Sequence, residues 1–170
     1  MQKNIDAHLY VSWSDYHDLI ERLAIIIAQS GWQFDAILCL ARGGLRIGDT
    51  LSRIFDMPLA ILSTSSYREN SGTQQGSLNI AKHITVSSGE LFGNVLLLDD
   101  LADSGKTLMA VQQHLAASYP KVLTVKTGVL WWKACSHIKP DFYVQHLLNN
   151  PWIHQPFEQY DTIRPQDLMQ

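Results

Sequence analysis

The chain has only two cysteines, Cys39 inside an apolar run and Cys135 behind a tryptophan pair. Two thiols make neither a disulfide framework nor a zinc knuckle, so both read as reduced, structural cysteines. Positive charge is not in excess either: 13 Lys and Arg stand against 16 Asp and Glu, a formal net charge of -3. Without a basic field there is nothing to hold a long nucleic acid by its phosphates, and a small ligand is the expected partner. The first ten residues carry Lys3, Asp6 and His8 and contain no apolar run of signal-peptide or membrane-spanning length. The expectation is a cytoplasmic protein with no membrane insertion. Internal repeats, charge blocks and linkers are absent. The seven histidines are scattered, with no pair at helical zinc spacing, and read as structural or surface residues.

What is present fits one domain over residues 1–170. A chain of 170 residues, 46% apolar and 17% charged, is ordinary for a globular protein, and a domain of that size buries roughly 70% of its unfolded surface. Over residues 14–30, Tyr16, Leu19, Ile20, Leu23, Ile26 and Ile27 recur at helical spacing, with Ser14 as the expected N-cap and Gly31 as the stop. An apolar run over 36–40, a glycine turn at Ala41, Arg42, Gly43 and Gly44, and an amphipathic stretch to Phe55 before Pro58 predict strand, tight turn and helix. A second apolar run covers 59–63. The long polar segment 64–79 after it is expected to be a functional, mobile loop. A strand over 94–98, a helix over about 106–118 and a strand over 122–132 follow, and residues 149–170 read as an irregular tail dense in Pro, Trp and Phe. Trp131 and Trp132 are expected on opposite faces of their strand, one in the core and the other covered by a helix or a partner.

Continuous apolar strands alternating with helices predict an α/β fold with a mostly parallel, twisted sheet flanked by helices. In such sheets ligands bind outside the carboxyl ends of the strands. The chemically interesting residues fall there: Arg42 to Gly44, Ser66 and Tyr67, Asp99 to Thr107, and Lys133 each follow an expected strand.

The most informative stretch runs Leu96, Leu97, Leu98, Asp99, Asp100, Leu101, Ala102, Asp103, Ser104, Gly105, Lys106, Thr107. A buried strand ends in acids, and a small, hydroxyl-bearing turn then opens a helix. Backbone N–H groups at a helix start, with the Ser104 and Thr107 hydroxyls, make an anion cradle into which Gly105 lets the backbone come close. Adjacent carboxylates repel one another unless hydroxyl donors or a cation offset them, and ribose hydroxyls with Mg2+ supply both. Gly105, Lys106 and Thr107 also match the end of a Walker A loop, but that motif needs a glycine where Asp100 stands. An NTPase is the runner-up for this segment.

The run 97–107 resembles the phosphoribosyl pyrophosphate signature of the type I phosphoribosyltransferases, in which apolar residues precede two acids and then Asp-Thr-Gly-x-Thr; here the turn reads Asp103, Ser104, Gly105, Lys106, Thr107. The resemblance implies that Asp99 and Asp100 hold the ribose hydroxyls and magnesium. It implies that residues 103–107 bind the 5-phosphate, with Asp103 also facing the purine N7. Ala41, Arg42, Gly43 and Gly44 are similar to the family's pyrophosphate loop. Ser66 and Tyr67 resemble the Ser-Tyr pair on the loop that closes over the site in the 6-oxopurine enzymes, and Lys133 matches the lysine that recognises the purine 6-oxygen. Trp152, Ile153, His154, Gln155, Pro156 and Phe157 resemble the C-terminal hood, about 147–165, of the bacterial xanthine-guanine enzymes, whose aromatic stacks on the base. In that branch the position of His154 is usually acidic and that of Phe157 usually tryptophan.

The implied activity is transfer of ribose 5-phosphate from phosphoribosyl pyrophosphate to hypoxanthine, guanine or xanthine, with pyrophosphate released, in purine salvage. The implied catalytic residues are Asp103 and Arg42, the implied cofactor is Mg2+, and the implied assembly is a homodimer or homotetramer. A regulatory protein that keeps the phosphoribosyl pyrophosphate site as a sensor, or a transferase for another nucleobase, is the alternative.

Overall fold

The structure, a computed structural model, describes residues 8–66 and 78–169. Strand β1 (His8–Tyr10) leads into helix α1 (Trp13–Gln29). Ser12 rather than Ser14 caps this helix. The Ser12 hydroxyl accepts the Asp15 N–H at 3.1 Å, and the Asp15 carboxylate accepts the Ser12 N–H at 3.2 Å. That reciprocal capping box satisfies two amides at once, which Ser14 has no acid placed to do.

Strand β2 (Ala36–Ala41), helix α2 (Leu45–Phe55) and strand β3 (Leu59–Ser66) follow. α2 stops where Asp56 turns left-handed at φ 52°, just before Pro58. β3 runs on past the expected end at Ser63, because β4 (Leu78–Ile80) pairs antiparallel with its last residues, Thr64 opposite Ile80. Tyr67 and the middle of the 64–79 segment lie outside the described residues. Next come β5 (Thr85–Val86), β6 (Gly93–Leu98), β7 (Leu101–Ala102), helix α3 (Lys106–Ser118), β8 (Val122–Lys133), β9 (Phe142–Leu147) and β10 (Trp152–His154). Two 3-10 turns, Glu158–Asp161 and Pro165–Leu168, end the chain. The tail is therefore more ordered than its composition indicated. β10 pairs parallel with β1, His8 opposite Trp152 and Tyr10 opposite His154, and three-residue strands are too short to show alternation.

The main sheet runs β4-β3-β2-β6-β8-β7, with β5 beside β3 and β9 beside β8. Its β2, β3, β6, β7, β8 and β9 pairings are parallel; β4 and β5 join β3 antiparallel. Both faces are covered. Ile37 and Cys39 of β2 and Leu96 and Leu98 of β6 point to one side, where Tyr16, Ile20, Leu23 and Ile27 of α1 and Ile47 and Leu51 of α2 meet them. Leu38, Leu40, Val95 and Leu97 point to the other, against Leu108, Val111 and Leu115 of α3. The period of two along each strand thus divides one apolar run between two cores.

Trp131 is fully buried on the α1 side, its indole N–H donating to Gln145 Oε1 at 2.8 Å. Trp132 lies with the other cluster, covered not by a helix but by β9, where it stacks on His146 with centroids 3.9 Å apart. Among the described residues no helix is long and apolar enough to cross a membrane.

Candidate active site

The carboxyl ends of β2, β3 and β6 open on one cleft of ≈ 570 Å³. From the strand ends and helix starts Arg42, Gly43, Arg46, Thr64, Asp99, Asp100 and Thr107 line it, and the tail closes the other side with Gln155, Phe157, Glu158, Tyr160 and Asp161. Gly43 is where the turn after β2 meets the acids after β6. A Cβ there would lie 2.5 Å from Asp100 Oδ1 and 2.9 Å from Asp99 Oδ1, so any larger residue would push into both carboxylates. The peptide between Ala41 and Arg42 is cis. The Arg42 guanidinium stands in solvent, its side chain 84% exposed, and meets the Asp161 carboxylate at 3.5 Å. An exposed pair of that length holds the guanidinium weakly and leaves it available to an anion.

Asp99 and Asp100 are half-buried, and among the described residues no Lys, Arg or His forms an ion pair with either. Burial, and then the charge of Asp100, push the Asp99 carboxyl well above the usual carboxylate range. Its Oδ1 accepts the Asp100 N–H at 3.0 Å. On the other side Gln155 Nε2 donates to Asp100 Oδ2. Beneath the pair the Tyr16 hydroxyl is buried without a partner, and burial followed by the charge of Asp100 raises its pKa. Two crowded carboxylates with no protein cation are a site for hydroxyl donors and a divalent ion, since both remove the repulsion that the fold leaves standing.

The turn into α3 lies beside them. Gly105 adopts φ 76°, and a Cβ there would be 2.6 Å from Ser136 Oγ, so the turn requires glycine twice over. Ser104 Oγ accepts the Lys106 N–H at 3.4 Å, and Thr107 faces the cleft. First-turn amides have no intrahelical acceptors and sit at the positive end of the helix dipole, which suits an anion. Just outside the cleft lining, Lys133 Nζ pairs with Asp103 Oδ1 at 3.4 Å, the lysine side chain 7% exposed and the aspartate 59%. A buried ammonium is tolerated because it is paired.

The cysteines divide. Cys39 is buried, its thiol pushed up to about 12 by burial. Cys135 is exposed rather than structural, its Sγ 3.6 Å from Asp103 Oδ1, because the chain leaves the sheet after Lys133.

Of the residues singled out from sequence, the structure brings Arg42, Gly43, Asp99, Asp100 and Thr107 around one cleft and sets Asp103, Ser104, Gly105, Lys106 and Lys133 on the adjoining strand end and turn. Ser66 closes β3. Trp152 is 51% exposed on β10 and Ile153 is buried in the α1-side core; neither lines the cleft. His154 stacks on Tyr10 with centroids 4.3 Å apart and brings its Nε2 to 2.8 Å from His8 Nδ1.

Sequence reasoning did not single out Arg46, Glu158, Tyr160 and Asp161, and had Gln155 only as a member of the hood motif. Arg46 had a signal: it is a cation in the first turn of α2, directly after the Arg42 turn, and it shares the cleft and lies over the Phe157 ring at 4.1 Å. The tail residues lie within the expected hood, about 147–165, but nothing in it marked which side chains would face the cleft, because their approach depends on how a non-repetitive segment folds back.

Residues 12–162 match the model of the family described as phosphoribosyl transferase domain. The chain is 29% identical over 155 residues to a xanthine-guanine phosphoribosyltransferase of Gluconobacter oxydans, covering 87% of this chain and 83% of the relative. A protein of the same description from Idiomarina loihiensis is 28% identical over 153 residues, 89% of this chain and 87% of its own. Among solved structures, a purine phosphoribosyltransferase from Pyrococcus horikoshii superposes with a TM-score of 0.74 at 28% identity, over 93% of this chain and 99% of that one.

Proposed function

The chain belongs to the phosphoribosyl transferase domain family, and from that premise we propose that it is a purine phosphoribosyltransferase, joining a 6-oxopurine to the ribose 5-phosphate of phosphoribosyl pyrophosphate and releasing pyrophosphate. The observation that carries this reading is the close approach of the Gly43 turn, which leaves no room for a Cβ, to the Asp99–Asp100 acids, which have no ion-pair partner among the described residues, in one cleft. It sets a loop suited to a pyrophosphate against a pair suited to ribose hydroxyls. Xanthine-guanine phosphoribosyltransferases that match over 83% and 87% of their own lengths support the choice of base.

On this reading Asp99 and Asp100 orient the ribose by accepting its hydroxyls, and residues 103–107 hold the 5-phosphate on the amides of the α3 start. Arg42 and the Gly43 backbone meet the departing pyrophosphate. Asp103 takes or steers the N7 proton, and Lys133 donates to the purine 6-oxygen. Trp152 stacks on the base, with the Ile153 backbone beside it. Ser66 and Tyr67 cover the donor. The crowded acid pair, without an ion-pair partner among the described residues, fits Mg2+, which would offset the charge of the acids and of the donor's phosphates. As C1 of the ribose becomes cation-like, charge leaves on one side while the base approaches on the other, so catalysis rests on position and electrostatics. Water held out of the cleft keeps donor hydrolysis from competing. The proposed setting is the cytoplasm, the proposed role purine salvage, and the proposed assembly a homodimer or homotetramer of one-domain chains.

The experiment is pyrophosphate release with phosphoribosyl pyrophosphate, magnesium and each of hypoxanthine, guanine, xanthine and adenine. Turnover with at least one 6-oxopurine and a disadvantage of roughly 10⁴ for adenine are expected, because a site built on a required hydrogen bond rejects the unmatched analogue. Adenine converted as fast as the 6-oxopurines would overturn the assignment.

A further inference from the structure

Gln155 immediately follows β10 and is 9% exposed, with Ile153 buried in the core before it. Its side chain reaches back to the acid pair, Nε2 donating to Asp100 Oδ2. The amide has one sensible orientation there, since its oxygen turned to the carboxylate would set acceptor against acceptor. That orientation leaves Oε1 buried with no hydrogen-bond partner, yet the residue lines the cleft. A buried carbonyl without a donor is a rare and unfavourable arrangement in a folded protein. The phosphates of the donor substrate only accept hydrogen bonds and cannot satisfy it. An O–H group held beside Asp100 can.

We propose that Gln155 is a binding residue of the ribose side of the site, its amide N–H fixing Asp100 and its Oε1 accepting an O–H of the bound donor, from a ribose hydroxyl or from water on the donor's magnesium. The inference rests on the transferase reading above. It makes one side chain of the tail contact both the acid pair and the donor, so the segment carrying Trp152 is tied to the segment that holds ribose.

The test is calorimetric binding to the full chain, with the thermal midpoint of the free protein as the check on folding. Two probes are used: phosphoribosyl pyrophosphate with magnesium, and GMP without divalent ions. Gln155→Met removes both polar ends at similar length and is expected to weaken the first probe by about tenfold or more, the range for a hydrogen bond to a charged network. An equal loss for GMP identifies a ribose hydroxyl as the source. A loss confined to the magnesium-dependent probe identifies cation-bound water. Gln155→Glu keeps an acceptor oxygen and is expected to bind the donor better than Gln155→Met at saturating magnesium. Were the amide only a support for Asp100, the added carboxylate would make Glu the worse variant, and that order overturns the proposal. So does unchanged affinity of Gln155→Met for both probes. Should Gln155→Met not fold, Gln155→Asn, one methylene short of reach, must show the loss instead. A wild-type chain that binds neither probe removes the transferase reading, and this inference with it; a wild type that binds both while the variants match it removes this inference alone.

Discussion

Two glycines five residues apart are expected to fail in opposite ways when given a methyl group. At Gly43 the new Cβ would stand 2.5 Å from Asp100 Oδ1, 2.7 Å from Asp100 Cγ and 2.9 Å from Asp99 Oδ1. Ordinary contact begins near 3.4 Å, so the carboxylates must retreat by roughly 1 Å, a misplacement that costs about 10²-fold in rate. The yielding atoms are the ends of side chains, so the fold itself loses only about 1 kcal/mol, some 2–4 °C of melting temperature. At Gly48 the methyl would meet Cys39 Cβ at 2.6 Å and Leu59 Cδ1 at 3.2 Å. Cys39 is fully buried in a central strand and its Cβ cannot swing away, so α2 must lift from the sheet. Overpacking of that kind costs about 1–3 kcal/mol.

Gly43→Ala is therefore an activity variant and Gly48→Ala a stability variant. Calorimetric melting of each free protein, with pyrophosphate release measured well below both transitions, separates them. Gly43→Ala is expected to keep its melting temperature within a few degrees and lose about 10² in kcat/KM. Gly48→Ala is expected to melt at distinctly lower temperature with kcat/KM per folded molecule nearly unchanged. A Gly43→Ala protein with wild-type kcat/KM would refute the claim that this turn and the acid pair form one site. A loss of activity that merely tracks the fall in melting temperature would reduce the turn to a structural feature.

Asp103→Asn is expected to lower turnover by roughly 10² to 10⁴ with donor affinity retained; steady-state assay beside donor calorimetry checks it, and unchanged turnover removes Asp103 from the chemistry. Trp152→Ala is expected to weaken base binding by about 1–3 kcal/mol, the usual loss of a stacking platform; an unaltered base affinity would make Trp152 a surface residue of β10. Asp99 titrates above its ordinary value in the folded, ligand-free chain, so its contribution to stability is full below the unfolded carboxylate pKa and lost as pH rises through the raised one. Asp99→Asn escapes that loss: without ligand it should melt above the wild type at neutral pH, the gap closing below about pH 4. An equal or lower melting temperature at neutral pH refutes the crowding argument.

The parts legible in the sequence were those where a local pattern has a local cause. The 94–98 run shows its strand because Leu96, Leu97 and Leu98 are buried whichever face they take. α3 occupies Lys106–Ser118 as expected, since the glycine before it and the tyrosine after it mark both ends. Positions just after strand ends picked out Arg42, Gly43, Asp99 and Asp100, because a parallel sheet brings its carboxyl ends together whatever the loops do. What stayed hidden depends on contacts distant in the chain. β1 and β10 exist only through each other, 144 residues apart in register. Gln155 reaches Asp100 across 55 residues, and Asp161 meets Arg42 across 119. The register of such contacts is set by tertiary packing, and a single segment carries no period that announces it.

On the proposed reading, the Lys133–Asp103 pair lets the base be read without rebuilding the site. An ammonium has three donors, and the contact with Asp103 at 3.4 Å engages one direction. With the lysine side chain only 7% exposed, water has little access to the remaining donors, so a purine 6-oxygen that reaches them adds an acceptor where the fold supplies few. The amino group of adenine adds a donor in the same place and leaves both groups unsatisfied. On the proposed reading the lysine would serve two partners, pairing with Asp103 at 3.4 Å and donating to the 6-position of the base. Its removal must then disturb the rate with every base, because Asp103 loses its counter-charge. It must also narrow the ratio between hypoxanthine and adenine, because the discriminating donor is gone. Only the ratio reports base recognition: a Lys133→Ala protein slowed equally with all bases would place the lysine with Asp103 alone, and one whose hypoxanthine-to-adenine ratio collapses places it on the 6-oxygen.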